Sequence, residues 1–178
     1  MIDFNQLQQI AKDAGFTCSA ALDPSTILLR EDVRRMCADN LCRQYNRRWC
    51  CPPGCGTLDE CRRHVAKYSQ GILVQTIGEV EDSFDYEAMK ETEAIHKANF
   101  CRMLTVLRQT CTDLLPLGAG SCTYCADCTY PDAPCRFPDK MTSSMEAYGI
   151  MVMDVCKANG MQYYYGSDKI SYISCFLL

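Results

Sequence analysis

Apolar and polar positions recur along the chain with periods that predict particular elements. Over residues 3–14 the apolar side chains fall at helical spacing, which predicts an amphipathic helix that ends at Gly15. Residues 82–113 show the same spacing over a longer stretch and predict a second helix. Three apolar runs predict strands: Thr26–Arg30, Gly71–Ile77 and Leu114–Gly118. The run Gly71–Ile77 is typical of a buried strand.

The order of these elements predicts an α+β fold. A strand, the long helix and a further strand form a βαβ unit, for which parallel pairing and a right-handed crossover are expected. Downstream, Ser143 or Ser144 is placed to cap a helix that runs to Asn159. Residues 161–165 and 169–178, separated by a turn, then predict a terminal hairpin.

Fifteen cysteines among 178 residues are the anomaly of the composition. We predict a single domain over residues 1–178, with cysteine-rich metal-binding lobes at about 37–61 and 122–135. The first residues show no secretory signal and no apolar run is long enough to span a membrane, so we expect a cytoplasmic protein. In a reducing compartment, an odd number of thiols at short spacings is typical of metal ligands rather than of disulfides.

The second lobe carries the strongest motif. Cys122, Cys125 and Cys128 follow one another at two-residue intervals, and six residues separate Cys128 from Cys135. Ferredoxins hold a [4Fe–4S] cluster with the run C-x2-C-x2-C. Zinc bound by four cysteines is the alternative, but such sites usually consist of two separated C-x2-C knuckles. The spacing therefore favours iron.

The first lobe holds a second candidate set. Cys37, Cys42 and either Cys50 or Cys51, with Cys55 as the fourth ligand, are expected to bind a second [4Fe–4S] cluster. Adjacent cysteines cannot comfortably ligate one ion together, so one member of the pair is expected to be a spare or packing thiol.

A zinc site is the rival interpretation of the same lobe. Cys51, Cys55, Cys61 and His64 have the composition of a three-cysteine, one-histidine site. A histidine in this position is more often an ordinary surface residue, which makes Cys61 and His64 the less favoured ligands. His96, inside the long helix, is expected to be structural, and the isolated cysteines are expected to be small buried apolar residues.

Charge is unevenly distributed along the chain. Residues 30–67 carry nine basic and five acidic side chains, although the whole chain has a net charge of −4. These arginines are expected to offset the negative charge of a thiolate-bound cluster, or to form a docking face for a redox partner protein. The acidic balance of the whole chain disfavours nucleic acid as a partner.

Three motifs of this chain resemble those of a known family. They are C-x4-C-x2-Y-x3-W-x-C-P-P at residues 37–53, P-L-G-A-G-x-C-x2-C-x2-C-T-Y-P-D-A-P-C-R-x-P at residues 116–138, and S-M-E-A-Y-G at residues 144–149. Together they resemble the domain-of-unknown-function 2284 family of predicted metal-binding prokaryotic proteins. The resemblance implies that Cys51, beside the two prolines, is a ligand in preference to Cys50.

These observations lead to one leading hypothesis and two alternatives. The leading hypothesis is an iron–sulfur protein with two [4Fe–4S] clusters that transfers electrons to or from a partner enzyme. The first alternative is an enzyme in which a cluster has one iron without a cysteine ligand, open to a substrate or to sulfur chemistry. The second alternative is a zinc-stapled binding module. No catalytic residue is assigned by the sequence.

Overall fold

The computed structural model describes residues 2–178 and consists of a five-stranded sheet with helices packed on both faces. The helices are α1 (Phe4–Ala14), α2 (Glu31–Ala38), α3 (Leu58–Val65), α4 (Tyr86–Thr110) and α5 (Val152–Ala158). The strands are β1 (Cys18–Leu22), β2 (Gly71–Glu79), β3 (Leu115–Gly118), β4 (Ser143–Ser144) and β5 (Lys169–Leu177). The predicted α+β class is confirmed.

The strands lie in the order β1-β2-β5-β3-β4. β5 pairs antiparallel with β2 along its whole length and antiparallel with β3 on its other side. β2 and β3, joined by α4, therefore run in the same direction, but they do not pair with each other. The predicted direct pairing within the βαβ unit is wrong, because the apolar C-terminal half of β5, buried on both faces, takes the central position between them.

Alternating residues of the central strands divide the core into two layers. Ile72 and Phe176 face α1 and α4, whereas Leu73 and Cys175 face α3 and α5. Phe100 of α4 stacks on Phe176 with ring centroids 4.7 Å apart, which fixes α4 on its face of the sheet. Complete burial of a large apolar side chain contributes about 1.5–3 kcal/mol to the free energy of folding.

The two predicted helices of the N-terminal and central parts of the chain are confirmed. α1 begins with a capping box, in which the Asp3 carboxylate accepts from the backbone N–H of Gln6 and the Gln6 side chain accepts in return. The helix ends at Gly15, as predicted. Asp85 caps the start of α4, because its carboxylate accepts from the backbone N–H of Ala88.

Near the N-terminus the predicted strand is misplaced. Residues Pro24–Thr26 form a 3-10 turn, and only Leu29 makes an isolated bridge, to Ile150. The strand is instead β1, made largely of small residues that have little intrinsic preference for strands. β1 forms because it pairs with the edge of β2, a tertiary interaction that its own pattern does not reveal.

The predicted helix over residues 143–159 is correct only in its second half. Its start is β4, which is followed by a 3-10 turn and by Gly149 at φ +83°. A Cβ at Gly149 would lie 2.7 Å from the Leu58 side chain and 3.0 Å from the carbonyl oxygen of Arg30. The chain therefore turns at this close contact, and α5 begins only after it.

The predicted terminal hairpin is also wrong in one of its strands. Residues 161–165 form no strand and instead satisfy the polar groups of Gln75, which is fully buried in β2. The hydroxyl of Tyr165 donates to Oε1 of Gln75 at 2.9 Å, and Nε2 of Gln75 donates to the carbonyl oxygen of Gln162 at 3.0 Å.

Two long segments without helix or strand, 39–57 and 119–142, carry eight of the fifteen cysteines. They emerge from opposite parts of the sequence and meet in space. No helix within residues 2–178 has the length and apolar character that a bilayer span requires.

Candidate metal centre

Five thiols from the two long segments line one cavity, which we name the cysteine cavity. It encloses about 300 Å³ including its opening, and all fifteen cysteines of the chain are free thiols. The thiols on its wall belong to Cys50, Cys122, Cys125, Cys128 and Cys135. The rest of the wall is formed by Arg48, Trp49, Tyr124, Phe137 and Met141. The structure therefore brings together all four cysteines of the second predicted set.

Side chains of the first segment hold the backbone of the second. Nη1 of Arg48 donates to the carbonyl oxygens of Cys122 at 3.0 Å and of Cys125 at 3.4 Å. The indole N–H of Trp49 donates to the carbonyl oxygen of Ala133 at 3.1 Å. Arg48 and Trp49 thus fix the part of the loop from which the thiols project.

A close contact around Gly54 completes this packing. A Cβ at this position would lie 2.6 Å from the carbonyl oxygen of Arg48, 3.0 Å from the ring of Tyr130 and 3.1 Å from Cα of Trp49. The rings of Trp49 and Tyr130 meet edge to face at 4.8 Å. Only glycine leaves the space in which the two cysteine segments approach each other.

Cys50 belongs to this cavity rather than to the first predicted set. It is 1 % exposed, and its Sγ accepts a hydrogen bond from the backbone N–H of Cys122 at 3.3 Å. Its Sγ also lies 3.7 Å from Sγ of Cys51. Sequence reasoning gave Cys50 a minor role in the first lobe, because no local pattern signals a contact between residues 72 positions apart.

Two thiols of the cavity hold their protons more tightly than an ordinary cysteine. The hydrogen bond from Cys122 lowers the pKa of Cys50, but the neighbouring Cys51 thiol and burial outweigh it and raise this pKa to about 11. The hydrogen bond with Cys50, together with burial, raises the pKa of Cys122. A cation must displace these protons, so binding is expected to release protons and to strengthen with rising pH.

The first predicted set is spread over neighbouring positions. Sγ of Cys37 lies 3.8 Å from the carbonyl oxygen of Glu146, and Sγ of Cys55 lies 3.5 Å from the next carbonyl oxygen, that of Ala147. Cys42 is exposed and close enough to contribute, after burial and Glu146, to the raised pKa of Cys37. Cys51 contacts Cys50, so this set borders on the cysteine cavity.

The zinc alternative for the first lobe involves a different arrangement of side chains. Nη1 of Arg34 lies 3.5 Å from Sγ of Cys55 and 3.8 Å from Sγ of Cys61. The hydrogen bond from Cys55 and the charge of Arg34 lower the pKa of Cys61 to about 7, against the effect of burial. His64 lies on the exposed side of α3, where Nδ1 is 3.3 Å from the hydroxyl of Tyr148.

The thiols are distributed over the cavity wall rather than directed at a point. Within residues 2–178, no three cysteine, histidine, aspartate or glutamate side chains form a group that could hold one metal ion. A single tetrahedral ion requires four ligand atoms around one centre, whereas the cysteines of an iron–sulfur cube bind separate corners. The cysteine ligands of the cavity are compatible with an iron–sulfur cluster and with zinc, since both are bound by thiolates in proteins.

The basic residues of the segment 30–67 divide into two groups. Arg30, Arg34, Arg48 and Arg62 bind carboxylates or backbone carbonyl groups of the protein itself. The remaining ones are exposed: Arg35, Arg43, Arg47, Arg63 and Lys67.

The expectation that the isolated cysteines are buried holds for Cys156 and Cys175 but is wrong for the other three. Cys18 and Cys111 are half-buried, and Cys101 is exposed, with its Sγ 3.5 Å from the hydroxyl of Tyr124. His96 is 1 % exposed, with its ring nitrogens 2.9 Å from Oγ1 of Thr76 and 2.7 Å from Oγ of Ser174.

Comparison with known proteins identifies one family. No curated protein and no solved structure matches the chain. A family model described as "Predicted metal-binding protein (DUF2284)" matches residues 20–178, which include both cysteine-rich segments and nearly the whole sheet. The chain therefore belongs to the DUF2284 family of predicted metal-binding proteins.

Proposed function

We propose that this metal-binding protein is an iron–sulfur protein that holds two [4Fe–4S] clusters and exchanges electrons with a partner protein. The observation that carries the proposal is the cysteine cavity, where five free thiols from two distant segments line one space. In this proposal the second predicted set binds one cluster, with Cys122, Cys125, Cys128 and Cys135 as its ligands.

The residues around the cavity suit a redox centre. A bound cluster would supply a group that gains and loses an electron, with a potential set by burial and by hydrogen bonds to sulfur. Trp49, Tyr124 and Phe137 add aromatic rings to the cavity wall beside the thiols. The guanidinium of Arg48, fixed by two carbonyl oxygens, places a positive charge beside the thiolates and offsets part of their charge.

The other cluster is assigned to the first predicted set, with Cys37, Cys42, Cys51 and Cys55 as its ligands. Support comes from the position of their segment beside the cysteine cavity, with Sγ of Cys51 only 3.7 Å from Sγ of Cys50. The ligand Cys51 would then be adjacent in the chain to Cys50, whose Sγ accepts from the backbone N–H of Cys122, a ligand of the other cluster.

The partner is expected to carry an acidic patch. The exposed cations Arg35, Arg43 and Arg47 lie in the same lobe as the apolar side chains of Met36 and Leu41, which are 56 % and 90 % exposed. Charged groups around an exposed apolar patch are typical of a protein-binding surface. A complex formed through this surface should weaken as the salt concentration rises.

The cluster assignment is tested by the iron content of single-cysteine variants. Cys125→Ser should lower the content from about eight irons per chain to about four, because one cube loses a ligand. Cys111→Ser, at a half-buried thiol outside the candidate sites, is the matched control and should leave the content unchanged. Equal iron content in both variants would contradict the assignment.

A second candidate function is an enzyme in which one iron lacks a cysteine. A separate cavity that shares Cys122 and Tyr124 with the cysteine cavity favours this candidate, because it offers a bound molecule a place beside the centre. Cys135→Ala distinguishes the two functions at this centre, where Cys135 is the fourth candidate ligand. Loss of about four irons identifies Cys135 as a ligand, whereas an unchanged count leaves that position open.

A further inference from the structure

The cavity beside the metal centre, which we name the lysine pocket, is small. It encloses about 110 Å³, below the roughly 300–1,000 Å³ of sites for drug-sized ligands, and therefore admits only a small molecule. Cys122 and Tyr124 separate it from the cysteine cavity.

One wall of the lysine pocket is rigid and apolar. Phe100 and Leu104 of α4 line it, and Phe100 is held in place by its stack on Phe176. His96 forms part of the floor, where burial lowers the pKa of its imidazole to about 4. The imidazole is therefore neutral at pH 7 and adds no charge to this wall.

Other residues that line the lysine pocket are polar or positively charged. Lys97, Lys140 and the hydroxyls of Ser121 and Thr142 line it, and its described lining contains no carboxylate. Nζ of Lys97 lies 2.5 Å from the carboxylate of Glu93, which offsets one of the two positive charges. Nζ of Lys140 lies 5.9 Å from the ring centroid of Phe137, and this exposed lysine supplies a second cation to the lining.

We propose that the lysine pocket binds a small organic anion, a carboxylate with an apolar body, next to the metal centre. The apolar body packs against Phe100 and Leu104, and the carboxylate pairs with Lys140 and accepts from Thr142. The proposal concerns binding alone. It rests on the proposed function, since a molecule bound here would be separated from the cluster by Cys122. The rival explanation is that the lysines serve only to offset the charge of that cluster.

Phenylacetate is a suitable probe, and phenylacetamide is its neutral analogue of the same shape. Calorimetry on the iron-loaded protein should show saturable binding of phenylacetate, with phenylacetamide at least about tenfold weaker, because the amide cannot form a charge-assisted hydrogen bond. Lys140→Gln should weaken phenylacetate binding about tenfold. Lys157→Gln, an exposed lysine of α5 on the opposite face of the sheet, is the control and should leave it unchanged.

Three results would overturn the proposal: no saturable binding of phenylacetate, equal affinities for the acid and the amide, or no effect of Lys140→Gln. Iron and sulfide are measured on the same samples. All the residues that line the lysine pocket belong to the protein itself, so the anion can bind whether or not a cluster is present. A low iron content would therefore count against the cluster, whereas the measured affinities decide whether the anion site exists. A normal iron content without saturable binding of phenylacetate would support the cluster and exclude the anion site.

Discussion

The substitution Gly54→Ala tests whether the two cysteine segments must pack closely to form the metal centre. The added methyl group would lie 2.6 Å from the carbonyl oxygen of Arg48 and 3.1 Å from Cα of Trp49. Both are backbone atoms, which cannot move aside by a change of rotamer. We therefore expect the turn between Arg48 and Gly54 to open, which displaces Arg48 and Trp49 from the loop that carries the second set of cysteines.

The magnitude follows from the cost of overpacking a close contact. An extra carbon without space typically destabilises a protein by about 1–3 kcal/mol. For a chain of this size, 1 kcal/mol corresponds to about 2–4 °C in melting temperature, so a loss of about 2–12 °C is expected. The displacement should also separate Arg48 from the carbonyl oxygens of Cys122 and Cys125, and the variant should lose iron from the cysteine cavity.

Gly118→Ala is the matched control for this experiment. A Cβ at Gly118 would have its nearest neighbours, atoms of Phe100 and Thr142, at 3.8 Å, which is ordinary van der Waals contact. Melting temperature and iron content are measured for both variants after anaerobic purification. The packing explanation is refuted if Gly54→Ala matches Gly118→Ala in both quantities.

Three further substitutions test other parts of the structure. Arg48→Met removes the hydrogen bonds to two loop carbonyl groups, worth about 1 kcal/mol each, and should speed the loss of iron to a chelator; an unchanged rate would contradict the role of Arg48. Cys50→Ala should keep the iron content but raise the reduction potential, because the backbone N–H of Cys122, which donates to Sγ of Cys50, becomes free to donate to a sulfur of the cluster; a redox titration without a shift would refute this. His96→Gln tests how the free energy of unfolding depends on pH. Burial holds the pKa of His96 near 4, below its unfolded value of about 6.5, so this group makes the protein less stable as the pH falls below about 6.5. Urea unfolding should show a loss of about 1 kcal/mol from pH 7.5 to 5.5 for the native protein, and a smaller loss for His96→Gln; equal losses would show that His96 does not carry this dependence.

The sequence predicted those elements whose pattern is long and local. α4 repeats its apolar positions over 25 residues, and β2 is apolar and buried along most of its length, so both follow from periodicity. The four cysteines of the second set were likewise placed together from their spacing, and the structure has them on one cavity wall. In these cases the residues that determine the structure lie close together in the sequence.

The features that the sequence did not predict depend on distant contacts. β5 takes the central position because its buried half fits between β2 and β3, and no local pattern names those partners. Gly149 delays the start of the predicted helix because Leu58 and Arg30 leave no room for a side chain at this position. Cys50 joins the second set through Cys122, 72 residues away, and the lysine pocket likewise combines α4 with the loop after β3.

The proposed iron–sulfur centre is tested most directly by the iron, acid-labile sulfide and zinc content per chain of protein purified without oxygen. We predict about eight irons and eight sulfides, with a broad visible absorption that bleaches on reduction with dithionite. Stoichiometric zinc without sulfide, in colourless protein, would contradict the proposal and would identify a zinc-stapled binding module instead.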